Sequence, residues 1–228
     1  MAYIVGVDLG QSCDYTALCV LQQERRVHAE KPDETQTHYL CSHLERIPLG
    51  TPYTAIVIRV RALLSTPPLP GSPLAVDQTG VGRPVVDMLR LGGIPCWLRP
   101  VTITSGAAVS YDKVLQEHHV PKRELVSLLQ VLLQQRRLRI AAQLAEARTL
   151  TKELANFRVK ITAAANETFG AWREGQHDDL VLAVALAAWV GENCGVGWDG
   201  TLGLPEKGNT FAARAPAGVF MREEPSPW

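Results

Sequence analysis

The chain has 228 residues, of which 46% are hydrophobic and 20% are charged, and its formal net charge at pH 7 is zero. This length suffices for one sizeable core, and the neutral balance by itself does not indicate a nucleic-acid-binding protein. Five scattered cysteines without a C-x-x-C pair argue against a disulfide framework or a structural zinc site. With no signal-peptide pattern, and an apolar stretch at 180–190 too short to span a bilayer, we expect a soluble cytoplasmic protein.

Hydrophobic periodicity divides the first half of the chain into short strands and helices. Three strands, which together suggest an antiparallel meander, are predicted at 3–7, 16–21 and 26–30. Two segments with helical spacing follow at 35–46 and 53–64. A Pro-Pro-Leu-Pro-Gly run at 67–71 then breaks the chain before a buried strand at 73–77, a helix at 84–91 and a strand at 94–101.

The second half contains more helix, and its periodicity ends near residue 191. Helices are predicted at 122–135, 145–157 and 178–190, and short strands at 138–140 and 157–162. Glycine, proline and polar residues without periodicity follow, so we divide the chain into one α/β domain at 1–194 and a Gly/Pro-rich tail at 195–228. Strands mixed with helices after a meander predict a mixed central β-sheet flanked by α-helices.

Acidic residues stand where predicted strands end or a helix begins. Asp8 and Asp77 each follow a buried strand, and His177, Asp178 and Asp179 open the last predicted helix. If their strands are neighbours, these acids converge, and like charges in close contact raise one another's pKa. A bound Mg²⁺ or Mn²⁺ relieves such repulsion, since hard cations take carboxylate oxygens.

Each of these acids also has an ordinary structural explanation. An acid after a strand is often a turn former or a helix N-cap, which applies to Asp77 and to Asp14. Acids in the first turn of a helix complement the helix dipole, which applies to Asp178 and Asp179. His177 taken alone is more typical of a capping or surface histidine. The combination and order of the motifs, not any single one, carry the prediction.

The ordered motifs resemble the nuclease domain of bacteriophage large terminases, within the RNase H-like nuclease superfamily. The resemblance runs from about residue 3 to about residue 190 and is carried by "GVDLGQSCDYTAL", "LAVDQTGVGRPVVDML" and "HDDLVLAVALAAW". The segments "VPKRELVSLLQVLLQQRRLRIA" and "LTKELANFRVKI" between them are also similar to terminase segments. The resemblance implies an RNase H-like mixed sheet, with three antiparallel strands followed by parallel ones, and a metal-dependent endonuclease acting on duplex DNA.

The resemblance also implies roles for individual residues. The catalytic, metal-binding acids of the three motifs fall on Asp8, Asp77 and Asp179, with Asp8 as the bridging ligand. Asp14 matches an auxiliary acid of some members, whereas Asp178 takes the variable place of the last motif, beside an auxiliary His177. Adjacent helical side chains point about 100° apart, so one of the two last-motif acids is expected to aim at the metal.

The implied reaction is phosphodiester hydrolysis with little sequence specificity, using two Mg²⁺ or Mn²⁺ ions about 3.5–4 Å apart. Implied partners are double-stranded DNA, a separate terminase ATPase, a small terminase subunit and a portal protein, in a phage or prophage setting without a membrane. Large terminases carry an ATPase motor ahead of the nuclease, but no G-x-x-x-x-G-K-[ST] occurs in this chain. We therefore expect no ATP hydrolysis by that route.

A local excess of positive charge lies between residues 122 and 160, where there are nine basic residues and three acidic ones. Such a surface binds a duplex backbone in a salt-sensitive, sequence-independent way. Our candidates for phosphate contact, of which the first three form the tightest cluster, are Arg136, Arg137, Arg139, Lys122, Arg123, Arg158 and Lys160. A solvated helix face is the alternative explanation for each.

Three other functions stay open at this point. A Holliday-junction resolvase shares the fold, metals and chemistry but prefers branched DNA. An actin-like or sugar-kinase-like ATPase uses similar "D-x-G" loops, but its two domains need a longer chain, and it gives no reason for the acids at 177–179. A prophage remnant that binds DNA without cutting gives no reason for every acid being present.

Overall fold

The protein is described by a computed structural model that covers residues 1–10, 14–28, 31–80, 82–164 and 177–194, with side chains only to residue 155 in the fourth range. The strands are β1 (Ala2–Asp8), β2 (Thr16–His28), β3 (Lys31–Ile47), β4 (Pro73–Asp77), β5 (Trp97–Thr104), β6 (Ser110–Asp112), β7 (Glu117–Pro121) and β8 (Leu138–Ile140). The helices are α1 (Tyr53–Ser65), α2 (Gly82–Leu91), α3 (Lys122–Gln134), α4 (Ala147–Ala164) and α5 (Asp179–Asn193). The predicted tail at 195–228 lies outside the described residues.

The strands form one mixed eight-stranded sheet in the order β6-β7-β5-β4-β1-β2-β3-β8. Strands β1, β2 and β3 are antiparallel, whereas β4 pairs parallel with β1, and β5 and β7 continue the parallel part. The predicted mixed sheet flanked by helices is thus confirmed. The sheet has an antiparallel three-stranded part, but the third strand predicted at 26–30 was wrong, because residues 26–28 continue β2 and the third strand is β3.

Each face of the sheet carries its own hydrophobic core, because successive side chains of a strand point to opposite faces. Ile4, Cys19 and Ala75 face the core formed with α3, α4 and α5. Val5, Val7 and Val76 face the core formed with α1 and α2. Helix α5 is buried along its whole length from Asp179 to Gly191, which explains why its sequence is apolar all round rather than amphipathic. None of the helices in the described part of the chain is long and apolar enough to cross a membrane.

Helix α5 lies unusually close to β1 because Gly6 has no side chain. A Cβ at Gly6 would lie only 2.1 Å from the carbonyl oxygen of Ala183. On the neighbouring strand, the Cys19 thiol lies 3.2 Å from the same oxygen. This close approach fixes the position of α5 over the end of β1, where Asp8 is.

Two further secondary-structure predictions were wrong. Residues 35–46 belong to strand β3, not to a helix. A β-bulge there pairs Val20 with His43 but Leu21 with Cys41, which shifts the alternation of buried residues and imitates helical spacing. Residues 157–162 continue helix α4, because short alternation cannot distinguish a strand from a helix. The short strands β6 and β7 at the sheet edge were not predicted.

Candidate functional site

Parallel pairing brings Asp8 and Asp77 together at one end of the sheet. Val7 of β1 pairs with Val76 of β4, so the two acids that follow lie at the same edge. Both side chains point to the face covered by α5, because alternation places Asp8 with Gly6 and Asp77 with Ala75. We call this the carboxyl end of the sheet, after the direction of β1 and β4.

Helix α5 adds the acids of the last motif to the same place. Ala183, near the start of α5, lies against Gly6, whereas Gly191 near its end lies against Ile4. The helix therefore runs antiparallel to β1, and its first turn, with Asp178 and Asp179, covers the carboxyl end of the sheet. The structure brings together the acids of all three motifs.

Burial and like charge dominate the electrostatics of this acidic cluster. Asp8 is 8% exposed. Its pKa is raised well above the ordinary value, first by burial and then by repulsion from Asp77, Asp178 and Asp179, whereas Lys122 lowers it. Burial also raises the pKa of Asp77, while hydrogen bonds from Thr79 and with Asp8 oppose that shift. Carboxylates arranged in this way favour a cation among them.

Asp179 has a basic neighbour that the sequence analysis missed. Its Oδ2 atom lies 2.9 Å from Nη2 of Arg46, and the same guanidinium forms an ion pair with Glu153 and stacks over the ring of Tyr15 at 4.6 Å. Burial raises the pKa of Asp179, and Arg46 and His177 oppose that rise. Arg46 reaches this face because it follows the bulge in β3 and pairs with Ala17.

Glu153 is a second residue that sequence analysis missed, although it lies in a quoted segment. It is 6% exposed, and its Oε2 accepts a hydrogen bond from the backbone N–H of Val181 at 3.3 Å. That N–H belongs to the first turn of α5, so Glu153 caps the helix that presents Asp179. Burial raises the pKa of Glu153 to about 7, with Arg46 lowering it and Asp179 raising it.

The remaining predicted residues lie around this cluster. Lys122 at the start of α3 is 3.1 Å from Asp178, between Nζ and Oδ2. Nδ1 of His177 is 4.0 Å from Oδ1 of Asp179, and the His177 ring packs edge-on against Tyr15. The negative charge of Asp14 contributes to the raised pKa of Asp179, which places it in the same electrostatic neighbourhood.

The donor chemistry of the cluster fits a hard divalent cation. Asp8, Asp77 and Asp179 offer carboxylate oxygens, the ligands that Mg²⁺ and Mn²⁺ prefer. Oδ2 of Asp179 is a buried atom that makes no aligned hydrogen bond despite its ion pair with Arg46. Within the described ranges, no three His, Cys, Asp or Glu side chains stand close enough to hold one ion as they are arranged. The fit therefore rests on the charge and the donor chemistry of the cluster.

The predicted DNA-contact residues separate into two groups. Lys122 and Arg123 begin α3 beside the acidic cluster. Arg136 precedes β8 and Arg139 lies in it. Strand β8 pairs with β3 at Tyr39, which lies opposite Gln23, and Gln23 in turn pairs with Ala2 at the start of β1. Both arginines are therefore at the other end of the sheet. The side chains of Arg158 and Lys160 lie outside the described residues.

Arg137 is buried rather than displayed to solvent. It is 8% exposed, its Nη2 lies 2.5 Å from Oε1 of Glu192, and its Nε donates to the carbonyl oxygen of Thr37 at 2.6 Å. This environment argues against a phosphate contact by Arg137 and gives it a role in joining β3 to α5.

Two curated relatives are similar to the chain, although no protein-family model matches it. The terminase large subunit of Thermus phage G20c is 28% identical over 185 residues, and that of Thermus virus P23-45 is 27% identical over 185 residues. Each comparison covers 81% of this chain and 31% of the relative. The chain thus spans about a third of the length of the curated relatives it matches.

A solved structure has the same fold. The large terminase nuclease of thermophilic phage G20c matches with a TM-score of 0.51 and 23% identity, covering 82% of this chain and 80% of that one. The same nuclease with bound zinc matches with a TM-score of 0.49 and 22% identity, covering 82% and 79%. The chain is therefore similar in sequence to part of two phage terminase large subunits, and it shares its fold with the large terminase nuclease of phage G20c.

Proposed function

We propose that the chain is a divalent-metal-dependent DNA endonuclease of the phage terminase type. The observation that carries this proposal is the convergence of Asp8, Asp77 and Asp179 on one face, at the carboxyl end of the sheet. Structural acids rarely gather in this way, because burying like charges together costs free energy. The relatives are terminase large subunits, which supports the same reaction class.

The chemistry that two Mg²⁺ or Mn²⁺ ions supply at such a site is activation of a water molecule and stabilisation of the leaving oxygen in phosphodiester hydrolysis. Asp8 and Asp77 would hold these ions from the sheet, and Asp179 from α5. Asp8 is the proposed shared ligand, because its pKa is affected by Asp77, Asp178 and Asp179 together. Asp178 and Asp14 are proposed auxiliary ligands.

Basic residues beside the acids are proposed to hold the DNA. Lys122 and Arg123 lie at the start of α3, next to Asp178. Cations there contact phosphates without reading bases, which agrees with cleavage of low sequence specificity. Arg136 and Arg139 form a second, distant basic region that a duplex bound at the acidic cluster would have to be long to reach.

The setting we propose is DNA packaging by a phage or prophage in the bacterial cytoplasm. In it, the chain works on double-stranded DNA with a terminase ATPase, a small terminase subunit and a portal protein. The curated relatives are about three times as long as the matched region, which agrees with a nuclease that acts alongside further parts of a packaging machine.

The proposal is tested by incubating purified chain with supercoiled plasmid in Mg²⁺, in Mn²⁺ and in EDTA. Nicking and linearisation in either metal, absent in EDTA and in Asp77→Asn, are expected. Asp87→Asn is the matched control, because Asp87 is an exposed acid on α2 paired with Arg90. Failure of a folded wild-type chain to cut in either metal would contradict the proposal. Faster cutting of a four-way junction than of plasmid would favour a resolvase.

A further inference from the structure

The loop after β4 holds Asp77 through a hydroxyl group that neither the motif nor the charge pattern identifies. Thr79 lies two residues beyond Asp77 on an exposed turn. Its backbone N–H donates to Oδ1 of Asp77 at 2.8 Å, and its hydroxyl lies 2.5 Å from the same oxygen. One oxygen of the carboxylate therefore has two partners from a single residue.

A third residue holds the Thr79 hydroxyl from the neighbouring strand. The backbone N–H of Ile103 on β5 donates to Oγ1 of Thr79 at 2.8 Å. A hydroxyl has one proton and accepts with its lone pairs. An ionised Asp77 carboxylate can only accept, so the hydroxyl donates its proton to Oδ1 while one of its lone pairs accepts from the Ile103 N–H. Thr79 thus links Asp77 to the backbone of the neighbouring strand.

Further contacts anchor the same loop to β5. The backbone N–H of Gln78 donates to the carbonyl oxygen of Val101 at 2.8 Å, and its side-chain amide donates to Oγ1 of Thr102 at 3.2 Å. From the other side, a Cβ at Gly82 would lie only 2.4 Å from the carbonyl oxygen of Asp77, so helix α2 packs directly on this backbone. The loop is therefore held in place on both sides, and the Thr79 hydroxyl connects this framework to the carboxylate.

We infer that Thr79 is a positioning residue for the metal site, whose hydroxyl fixes the rotation of the Asp77 carboxylate. The inference rests on the proposed function and names a residue of the same site. Two bonds to Oδ1 hold both oxygens of Asp77 in defined positions, so a cation meets a prearranged ligand. Outer partners of this kind typically change metal affinity about 10–100-fold when they are removed.

The test compares Thr79→Val, which removes the hydroxyl at similar volume, with Thr79→Ser, which keeps it. Mn²⁺ affinity is measured by electron paramagnetic resonance of free Mn²⁺, without DNA, and plasmid cleavage is measured separately. Thr66→Val is the matched control, because that threonine hydroxyl donates to the carbonyl oxygen of Ala62 at the end of α1. Thermal melting of every variant reports whether it folds.

We expect Thr79→Val to bind Mn²⁺ about tenfold more weakly and to cut with a lower kcat but an unchanged KM for DNA, at a melting temperature close to wild type. Thr79→Ser should recover most of the affinity, and Thr66→Val should match wild type. Wild-type Mn²⁺ affinity in Thr79→Val, or equal losses in the valine and serine variants, would overturn the inference while leaving the nuclease in place. A wild-type chain that neither binds Mn²⁺ nor cuts DNA would overturn both.

Discussion

Charged side chains have opposite kinds of neighbour at the two ends of the sheet. At the carboxyl end, Asp8 and Asp77 share their surroundings with further acids, and burial raises the pKa of both, with repulsion from the neighbouring acids adding to the shift of Asp8. At the other end, Arg137 pairs with Glu192, which also accepts a hydrogen bond from the Tyr39 hydroxyl at 2.8 Å. Tyr39 and Arg46 are seven positions apart on β3, which puts roughly 20 Å between these ends.

This contrast distinguishes the proposed metal site from a group of paired charges that supports the fold. At the far end each buried charge has an opposite charge beside it, so the group stabilises the fold without a ligand. At the carboxyl end, Arg46 and Lys122 offset only part of the negative charge, and the remainder is a cost to folding. The comparison predicts that removing an acid at the carboxyl end lowers activity without lowering stability. Removing a charge at the other end should lower stability and leave activity unchanged.

The largest effect is expected for Asp8→Asn, which should lower plasmid cleavage about a thousandfold, since a metal centre supplies several kcal/mol of charge stabilisation. The same variant should melt at or above the wild-type temperature in EDTA. A carboxyl whose pKa is raised in the folded state destabilises that state as pH rises above the unfolded value of 3.8, and asparagine removes this cost. Melting curves at pH 7 check this, with Asp87→Asn as control. A lower melting temperature would place Asp8 in the same class as the paired charges.

Arg137→Met should show the reverse pattern. Removing the guanidinium leaves the half-buried Glu192 carboxylate without its ion-pair partner, a change that typically costs about 1–3 kcal/mol. Urea unfolding should show this loss, whereas cleavage by the folded variant should equal wild type. The double variant Arg137→Met with Glu192→Gln should recover part of the loss. If Arg137→Met were stable but inactive, the original prediction of a phosphate contact would be restored.

A smaller difference is expected between two cations, the half-buried Lys122 and the exposed Arg139. Lys122→Gln should weaken DNA binding several-fold and lower the salt dependence of the binding constant by about one charge, because it removes a cation beside the acidic cluster. Arg139→Gln should change binding less, since β8 pairs at the far end of the sheet. Titrating a labelled duplex in EDTA at several salt concentrations measures both without cleavage. A larger effect at Arg139 would move the DNA path to the far end.

The smallest effect is expected on stability at acid pH and involves His118, which lies away from both clusters. Burial, followed by the nearby Arg99 and His119, lowers the pKa of His118 from 6.5 to about 4. The unfolded chain therefore takes up the proton first, so stability is full above about pH 6.5 and falls between there and about pH 4. His118 packs against Trp189 at 5.2 Å between ring centroids, and His118→Phe keeps an aromatic ring there. Urea unfolding between pH 7 and pH 4 should show a shallower decline in the free energy of unfolding for this variant than for wild type. If the decline is the same in both, the loss of stability in acid comes from other groups.

The sequence was sufficient for features that depend on local pattern. The strands that end in Asp8 and Asp77, and the apolar helix that begins at Asp179, could be predicted because each is a simple apolar run. Their convergence could be argued only conditionally, since it depends on the parallel pairing of β1 with β4, which periodicity does not reveal.

The features that were missed depend on long-range geometry. The bulge near His43 shifts the alternation of β3, so its pattern indicated a helix and concealed Arg46 from the site. Glu153 is separated from Asp179 by 25 residues and contacts α5 only in the folded chain. Arg136, Arg137 and Arg139 looked alike as a basic run, but burial distinguishes Arg137 from its neighbours, and burial is not visible in composition.

The most direct test of the central claim, that the acids of the carboxyl end form a metal site, is anomalous X-ray diffraction from crystals of the chain grown with Mn²⁺. The account predicts a strong anomalous peak between the carboxylates of Asp8 and Asp77, and loss of that peak in Asp77→Asn. Well-ordered acidic side chains with no anomalous peak among them, at a Mn²⁺ concentration that supports cleavage, would contradict it.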